Sequence, residues 1–338
     1  MKTSKIAVVL SIIVFLFIVV AGILAFLNSP PPAFKSGVRF RVEKGETALA
    51  VGNRLEESGL IRNSGFFYFL VRLSGKNVKA GNYFFKTPVP AKEVFTVLTE
   101  GLQEIVTVTI PEGLTARKTA LILKENEVIS DTEEFYECIK DSDFLKGLGI
   151  PMDSAEGFLF PETYNFYKFM DSYDVVSMMV GEFFNVLNEI DSSVAGNADK
   201  LKETVILASI IEREYQIPEE APVISGVFHN RLEINMRLQS CATVEYIITE
   251  IFNKPHPNFL TYDDIEIDNP YNTYVNWGLP PGPVSNPGKV ALSAALNPDD
   301  NDFLYFRLVD VDTGRHHFSK SLTEHNNASE EFYRSVKK

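Results

Sequence analysis

The chain has 338 residues, of which 45% are hydrophobic and 23% are charged, and its formal net charge is -13. This composition is typical of a globular protein with room for two domains. Proteins that bind nucleic acid usually carry a basic face, and this acidic chain has no strong basic cluster, so a nucleic-acid partner is not expected. Two cysteines, Cys138 and Cys241, are too few for a disulfide framework, although a single bridge between them is left open.

Residues 6–27, IAVVLSIIVFLFIVVAGILAFL, form an uncharged apolar segment after a short stub at residues 1–5. A helix that rises ~1.5 Å per residue would cross a ~30 Å hydrocarbon core over this length. The alternative is a cleaved signal peptide, but its apolar region would be only about 7 to 15 residues long. Because FLNSPPP is also a poor cleavage site, we predict a retained transmembrane helix.

The numbers of positive charges on the two sides of this helix are nearly balanced, so they do not decide its orientation in the membrane. Lys2 and Lys5 precede it, whereas Lys35, Arg39 and Arg41 follow it. Long domains translocate largely regardless of charge, so the short stub and the long body favour a body outside the cell. We therefore predict a single-pass protein of the cytoplasmic (inner) membrane, with a cytoplasmic stub and its body on the outer side.

A linker and a small module are predicted after the span. Residues 28–37 contain three consecutive prolines, which favour an extended, stiff spacer. Within residues 38–103, VRFRVEKGE alternates like a strand, TALAVGNRLEESGLI and SGFFYFLVRLSG are typical of helices, and KAGNYFFKT is typical of a short strand. This order predicts a small α+β module.

Residues 104–338 form the second soluble region, with a helical lead-in over 104–152 and the most unusual sequence over 153–335. EIVTVT predicts a strand, IPEGLTARKTALILKENEV a turn and an amphipathic helix, and DTEEFYECIKD a helix capped by Asp131 or Thr132. The predicted fold class is therefore α+β throughout the soluble part.

Further elements are predicted toward the C-terminus. Helices are expected over 201–215, 219–233 and 287–296, and the last of these would have Asn286 as its cap and proline at its first position. FLYFRLV and HHFSK predict two strands, and NMRLQSCATVEY predicts a short loop.

The motifs of metal-dependent and nucleophilic catalysis are missing from the sequence. No histidine is followed by glutamate, no G-x-S-x-G or Walker A pattern occurs, and the only S-x-x-K lies at the extreme C-terminus. His316, His317 and His325 could bind a metal, but without partners in a rigid element they are more typical of strand and cap residues. We predict neither a metal nor a cofactor.

LASIIEREYQ, residues 207–216, places carboxyl groups at the end of an apolar helix. Ala208, Ser209 and Glu212 share one helical face, and small neighbours leave space beside the carboxyl group. Apolar surroundings raise the pKa of a carboxyl group, and the general acid of a glycosidase must be protonated near neutral pH. The alternative is a helix-end charge that points to water, and periodicity alone does not exclude Glu214.

Two polar stretches could line a sugar site or could simply be ordered connections. In the first, Asn230 and Arg231 end a predicted helix and a cluster of Arg237, Gln239, Ser240 and Thr243 follows. The second, NPYNTYVNWGLPPGPVSNPG, has five prolines and three glycines, which fix a loop in one shape. Its possible rim of aromatic and amide groups comprises Tyr271, Asn272, Tyr274 and Trp277.

These stretches together resemble the YceG-like family of endolytic murein transglycosylases. The resemblance rests on EGFLFPETY (156–164), ASIIERE (208–214), FHNRLEINMRLQSCATVEY (228–246), YNTYVNWGLPPGPVSNPG, and LYF with HHFSKSLTEHN, all in one order. It covers about residues 38–335 and includes the N-terminal anchor. Residues 38–103 resemble the family's LysM-like domain, which implies peptidoglycan binding.

The resemblance implies cleavage of the β-1,4 bond between N-acetylmuramic acid and N-acetylglucosamine in nascent glycan strands, which leaves 1,6-anhydro-muramic ends and limits strand length. The family's catalytic glutamate corresponds to Glu212. This residue would protonate the leaving oxygen and then deprotonate the sugar's own 6-hydroxyl, so no second carboxylate nucleophile is required. A non-catalytic peptidoglycan-binding scaffold and a hydrolase that leaves reducing ends remain alternatives.

The resemblance also supplies candidate binding residues. Glu156 and Glu162 match family positions and could shape the cleft, whereas Glu245 lies where the family is variable. Many members have aspartate and proline where this chain has Cys241 and Ala242, so any role of that aspartate is lost here. Association with cell-wall synthesis machinery, including penicillin-binding synthases, is implied. The full set of substrate-binding candidates is Glu156, Glu162, Asn230, Arg231, Arg237, Gln239, Ser240, Thr243, Tyr246, Tyr271, Asn272, Thr273 and Tyr274.

Overall fold

The computed structural model describes residues 2–32, 34, 36–310 and 312–328. Three sequence predictions extend beyond these residues: the first residue of the stub at 1–5, positions 33 and 35 of the linker, and the region 104–338 at residue 311 and from residue 329 onward. Contacts divide the chain into two units, the first comprising the chain up to Val106 with Asn165–Met170, and the second comprising Thr107–Tyr164 with the chain from Asp171 onward.

The first helix, α1 (Lys2–Asn28), confirms the predicted apolar segment. Its stretch Ile6–Asn28 has a mean hydropathy of 3.3 and is not buried against the rest of the protein. At ~1.5 Å per residue this stretch is long enough to cross a bilayer. A signal sequence near an N-terminus shares this length and composition.

The rest of the first unit has the predicted order of strand, helix, helix and strand. It consists of β1 (Val38–Val42), α2 (Ala48–Glu57), α3 (Ser64–Ser74), β2 (Gly81–Phe85) and α4 (Ala91–Glu100), of which α4 was not predicted. The strands pair antiparallel, with Val38 opposite Phe85 and Val42 opposite Gly81. Alternate strand residues and one face of each helix meet in a core that includes Phe67 and Tyr83.

The end of α1 and the residues after it form hydrogen bonds with the rest of the first unit. The guanidinium of Arg62 donates to the carbonyl oxygens of Ser29 at 3.1 Å and Pro30 at 2.7 Å, and it lies over the ring of Phe26. Asn28 Oδ1 accepts a hydrogen bond from the backbone N–H of Lys92 at 2.9 Å, in the first turn of α4. The beginning of the predicted spacer is therefore bonded to the module.

The remaining elements build the second unit around a few long helices, except that parts of β3 and β4 belong to the first unit. They are β3 (Ile105–Thr109), α5 (Ala116–Glu125), α6 (Thr132–Cys138), α7 (Ser142–Gly147), β4 (Thr163–Tyr167), α8 (Ser172–Asp191), α9 (Ala198–Ile211), a 3₁₀ turn (Pro218–Glu220), α10 (Ala221–Glu233), α11 (Cys241–Tyr246), a π turn (Ile247–Ile251), α12 (Tyr262–Ile265), α13 (Lys289–Leu296), β5 (Tyr305–Asp310) and β6 (Arg315–Ser319). β3 pairs with β4, and β5 pairs antiparallel with β6. The strands predicted at the C-terminal end are thus confirmed.

α9 lies in the core of the second unit and packs against α10 and α13. Every residue from Thr204 to Ile211 is buried, as its apolar sequence predicted. The predicted end at residue 215 is wrong, because the helix ends at Ile211 and Glu212 is its C-cap. The next two N–H groups, of Arg213 and Glu214, bond three residues back in a tightened turn.

Two further boundaries differ from the prediction. α13 begins at Lys289 with Gly288 as its N-cap, so Asn286 does not cap it. The local Asn-Pro pattern suits a helix start, but the Asn286 side chain is taken by partners distant in sequence. The predicted loop NMRLQSCATVEY contains α11, whose residues Ala242, Thr243 and Val244 are buried.

Candidate active site

The carboxyl group of Glu212 is held where α9 ends. Its Oε2 accepts a hydrogen bond from the backbone N–H of Gly288 at 3.0 Å, and the hydroxyl of Tyr215 donates to both oxygens at 3.3 and 3.4 Å. The backbone of Gly113 covers its stem, since a Cβ added at Gly113 would lie 3.6 Å from Glu212 Cγ. Its own chain segment and two distant ones therefore surround this half-buried group.

Burial raises the pKa of Glu212 to about 7, and the negative charge of Glu112 acts in the same direction. The N–H of Gly288, the hydroxyl of Tyr215 and the charge of Arg213 favour the ionised form and oppose this rise. Burial is the largest of these effects. Near neutral pH the group consequently exists in both protonation states.

A strap formed by residues 284–288 lies along the end of α9 and brings Gly288 to Glu212. Ser209 Oγ accepts a hydrogen bond from the N–H of Val284 at 3.0 Å, and Ser285 Oγ donates to the Ser209 carbonyl at 2.9 Å. All of these groups are buried. The small residue predicted beside Glu212 thus anchors the strap through two hydrogen bonds.

The loop that contains Gly113 pairs with the same strap. The N–H of Gly113 donates to the carbonyl of Asn286 at 3.0 Å, and the N–H of Asn286 donates to the carbonyl of Leu114 at 2.8 Å. Gly113 has a φ of +73°, a left-handed conformation that glycine adopts without strain. This two-way pairing fixes the loop against the carboxyl group of Glu212.

Glu156 lies behind the strap and is only 7% exposed. Its Oε1 accepts hydrogen bonds from the N–H of Ala116 at 2.9 Å and from the side-chain amide of Asn286 at 3.2 Å. Asn286 Oδ1 in turn accepts from the N–H groups of Gly157 and Leu159. Burial raises the pKa of Glu156 to about 8. The described contacts of Glu156 thus connect the start of α5 to the strap.

Glu214 has partners different from those of Glu212. It accepts a hydrogen bond from the hydroxyl of Ser240, and burial raises its pKa to about 7. The N–H of Ser240 donates to Thr273 Oγ1 at 3.0 Å, and Thr273 Oγ1 lies 3.0 Å from Thr243 Oγ1. Three of the predicted binding residues, Ser240, Thr243 and Thr273, therefore form a buried network with Glu214.

Three other predicted residues bond to backbone carbonyl groups. Asn230 donates to Asn301 and Phe303, at 2.8 and 3.0 Å. The guanidinium of Arg231, which is 6% exposed, donates to Leu304 and Leu238, and the amide of the buried Asn272 donates to Ile265 and Ile267. These contacts hold the loops around α10 and α11.

Several predicted residues present aromatic or amide surface. The rings of Tyr246 and Tyr271 pack at 5.1 Å, and the guanidinium of Arg237 lies 4.2 Å from the centroid of Trp277, which is exposed. Gln239 is exposed and has a φ of +50°.

The other two candidates have local partners. Glu162 is exposed and accepts from the N–H of Thr163 at 2.7 Å. Tyr274 Oη lies 3.2 Å from the sulfur of Cys241. The open question of a disulfide is answered by this structure, in which Cys138 and Cys241 are both free thiols.

Sequence reasoning missed the charged neighbours of Glu212. Glu112 is exposed in the turn before Gly113, and Arg213 forms an ion pair with Glu245 at 2.8 Å. The same Glu245 oxygen lies 3.3 Å from His256 Nε2. The one local signal for Glu112 was its position before a glycine in a turn, and that pattern alone does not specify a site.

A separate cavity of about 970 Å³ lies along α9, on residues nearer the start of that helix. Its lining includes Glu203, Leu207, His229, Pro280 and Pro281, and among the described residues that line it Glu212 does not appear. The cavity and the Glu212 site are therefore distinct features of the second unit.

The sequence and the fold of this chain match a known class of proteins. A model of the YceG-like family matches residues 40–331, so the chain belongs to the YceG-like family and the resemblance noted from its motifs is confirmed. A crystal structure of a YceG-like protein from Listeria monocytogenes superposes with a TM-score of 0.59 and 29% identity, covering 87% of this chain and 99% of that one.

The curated relatives carry one name. The endolytic murein transglycosylase of Bacillus subtilis is 29% identical over 320 residues, which cover 89% of this chain and 86% of the relative. The endolytic murein transglycosylase of Streptococcus pneumoniae D39 is 27% identical over 352 residues, covering 94% of this chain. This chain spans only 64% of the length of the pneumococcal protein.

Proposed function

We propose that the protein is an endolytic murein transglycosylase that cleaves the β-1,4 bond between N-acetylmuramic acid and N-acetylglucosamine in nascent glycan strands. It leaves 1,6-anhydro-muramic ends and thereby limits strand length. Family membership and the names of the relatives support this activity. The observation that carries the proposal is the half-buried carboxyl group of Glu212, whose pKa is raised to about 7.

Glu212 acts first as an acid. Its protonated carboxyl group gives a proton to the glycosidic oxygen, the bond from that oxygen to C1 of the muramic acid breaks, and the N-acetylglucosamine hydroxyl leaves. Positive charge then develops on C1 and the ring oxygen of the muramic acid. Burial favours the protonated state that this step requires.

Glu212 acts next as a base. Its carboxylate accepts the proton of the sugar's own 6-hydroxyl, whose oxygen bonds to C1 and closes the 1,6-anhydro ring. The carboxyl group ends the cycle protonated, and no water is consumed. The N–H of Gly288 and the hydroxyl of Tyr215 stabilise the carboxylate formed between the two steps. A pKa near the working pH suits one group to both roles.

In this proposal, the exposed candidate residues contact the glycan and the buried candidate residues support the surrounding loops. Gln239 and Glu162 are exposed, and the partly exposed rings of Tyr246, Tyr271 and Tyr274 offer flat surfaces on which sugars can stack. Members of the set that are buried and bonded to other protein groups support the loops that carry these surfaces. They are Glu156, Arg231, Ser240, Thr243, Asn272 and Thr273.

In this proposal, the first unit attaches the protein to the membrane and to peptidoglycan. We propose that α1 is a retained membrane anchor, that the body lies on the outer side of the cytoplasmic membrane, and that residues 38–103 form a LysM-like peptidoglycan-binding module. Bonding of Asn28, Ser29 and Pro30 to the module supports an anchor that works together with it. Cell-wall synthesis enzymes such as penicillin-binding synthases are the proposed partners.

The activity is tested by mass spectrometry of glycan strands incubated with the purified protein. We expect anhydro-muramic ends from the wild type and none from Glu212→Gln, with both proteins folded by circular dichroism. Unchanged strands with the wild type would instead favour a binding scaffold, and reducing muramic ends would indicate a hydrolase.

A matched control is Glu214→Gln. It changes a nearby carboxyl group whose amide replacement can still accept the hydrogen bond of Ser240. We expect this variant to keep most of the activity. Wild-type activity in Glu212→Gln would remove Glu212 from the mechanism.

A further inference from the structure

Gly288 brings a second carboxyl group to the site, that of Glu112. On one side, the N–H of Gly288 donates to Glu212 Oε2 at 3.0 Å. On the other side, the carboxyl group of Glu112 lies so close to the Gly288 Cα that an added Cβ would overlap it. Glu112 and Glu212 therefore flank the same glycine, although 100 positions separate them in the sequence.

The position of Glu112 is set by backbone contacts on its C-terminal side. Gly113 covers the stem of Glu212, and the N–H of Gly113 donates to the carbonyl of Asn286, two residues before Gly288. Leu114 accepts the return hydrogen bond from Asn286 at 2.8 Å. Because these bonds are reciprocal, the loop and the strap hold the backbone next to Glu112 in one place.

The two carboxyl groups differ in their surroundings. Glu212 is half-buried, whereas Glu112 is exposed and so is open to a glycan strand that reaches Glu212. The charged and titratable groups that act on Glu212 are Glu112, Arg213 and Tyr215. Arg213 is paired with Glu245 at 2.8 Å. The cationic member of this set is therefore paired with a carboxylate other than Glu112.

We propose that Glu112 is a second catalytic carboxylate, which faces C1 of the muramic acid and stabilises the positive charge that develops there. This inference rests on the proposed transglycosylase function. Glu112 forms no bond to the sugar and transfers no proton, since Glu212 donates and then recovers the proton. Fixed charge that is directed at the place where opposite charge develops lowers a barrier more than freely reorienting water does.

The role has a second consequence for Glu212. A negative charge close to a carboxyl group favours its protonated form, and the charge of Glu112 does raise the pKa of Glu212. Removal of that charge should lower the pKa of Glu212, so that the group loses its proton at a lower pH. The pH profile therefore reports whether the charge of Glu112 reaches Glu212, a property that a purely structural contact does not require.

The test compares Glu112→Gln with the wild type on isolated glycan strands across a range of pH. We expect kcat to fall about 100-fold, as for loss of one preorganised electrostatic group, with KM changed less than about threefold. We expect the alkaline limb of the kcat/KM profile to move to lower pH. Glu219→Gln, which changes an exposed carboxyl group in the second unit, should match the wild type.

Glu112→Ala adds a chemical test, because its missing side chain leaves room for a small anion. Added formate should restore part of its activity if a negative charge is what the site has lost. Unchanged kcat in Glu112→Gln overturns the inference. So does a fall in kcat with an unmoved alkaline limb and no formate rescue, which would assign Glu112 a structural role.

The Glu212→Gln variant separates this inference from the proposed function. If Glu212→Gln is inactive while Glu112→Gln is fully active, only the role of Glu112 fails. If the wild type itself produces no anhydro ends, the proposed function fails, and the inference fails with it.

Discussion

Glu212 accepts a hydrogen bond from the backbone N–H of Gly288 at 3.0 Å, across 76 positions of sequence. The bond joins the C-cap of α9 to the N-cap of α13, so it fixes the carboxyl group to the backbone of a second buried helix. A backbone donor cannot rotate away as a side chain can. The geometry of the carboxyl group therefore depends on the strap of residues 284–288 that carries Gly288.

Replacement of Glu212 should raise stability while it removes activity. The folded-state pKa of about 7 exceeds the ordinary value of 4.5, so the folded protein binds the additional proton and wild-type stability declines as pH rises between these values. Glu212→Gln carries no such penalty. We expect its free energy of unfolding to exceed that of the wild type by about 1–2 kcal/mol at pH 8, after allowance for partial exposure.

Urea denaturation at pH 5 and pH 8 measures this difference. The gain should shrink toward pH 5, where the wild-type carboxyl group is largely protonated in the folded state. An equal difference at both pH values would contradict the assigned titration of Glu212.

The hydroxyl of Tyr215 should control the pH range of activity. It donates to the carboxyl group of Glu212 and stabilises the ionised form, so Tyr215→Phe should raise the pKa of Glu212. We expect the alkaline limb of the kcat/KM profile to move to higher pH, opposite to the shift expected for Glu112→Gln. Shifts of these two variants in the same direction would contradict one of the two electrostatic assignments.

Gly288→Ala should act on Glu112 without disturbing the fold. The φ of −84° at Gly288 is open to alanine, and the added Cβ meets the end of a flexible side chain, which can move. We expect kcat to fall at least about tenfold, with Tm within about 2 °C of the wild type. Gly181→Ala is a control, because no atom lies within 4 Å of its added Cβ. Full activity of Gly288→Ala would count against a role for Glu112.

Glu156 should contribute to stability through the hydrogen bonds that its carboxyl group accepts. The effect of replacing it should therefore depend on whether the new side chain has an acceptor oxygen. Glu156→Ala would leave the N–H of Ala116 and the amide of Asn286 without their buried acceptor, at about 2–4 kcal/mol. Glu156→Gln retains an acceptor oxygen and removes a carboxyl group whose pKa is raised to about 8. We therefore expect the Gln variant to be as stable as the wild type or more so above pH 8. Urea denaturation of the two variants distinguishes these effects, and equal losses would exclude the acceptor as the cause.

Much of the local structure was predictable because its signals are contiguous. The uncharged run predicts α1, and period-two alternation predicts β1. Helical spacing predicts α2 and α3, and Thr47 and Asn63 cap these two helices in the structure. The apolar run before Glu212 likewise predicts the burial of α9. The end of α9 was missed because its last hydrogen bonds depend on how the chain leaves the core.

Asn286 shows where local patterns mislead. Asparagine before proline is a good helix start, but here the Asn286 amide bonds to a buried carboxyl group, that of Glu156, and to the carbonyl of Leu114. Two hydrogen bonds inside the protein outweigh one cap at its surface. No periodicity within a short window could have indicated those partners.

The sequence by itself determined the apolar helix, the order of elements in the module, the buried α9 and, through its motifs, Glu212 as the candidate acid. Tertiary structure alone decided that Gly288 and Glu112 lie beside this carboxyl group. The physical reason is that helices and strands arise from interactions between near neighbours in the chain. A site arises instead from contacts between distant segments, whose positions depend on the packing of the whole unit.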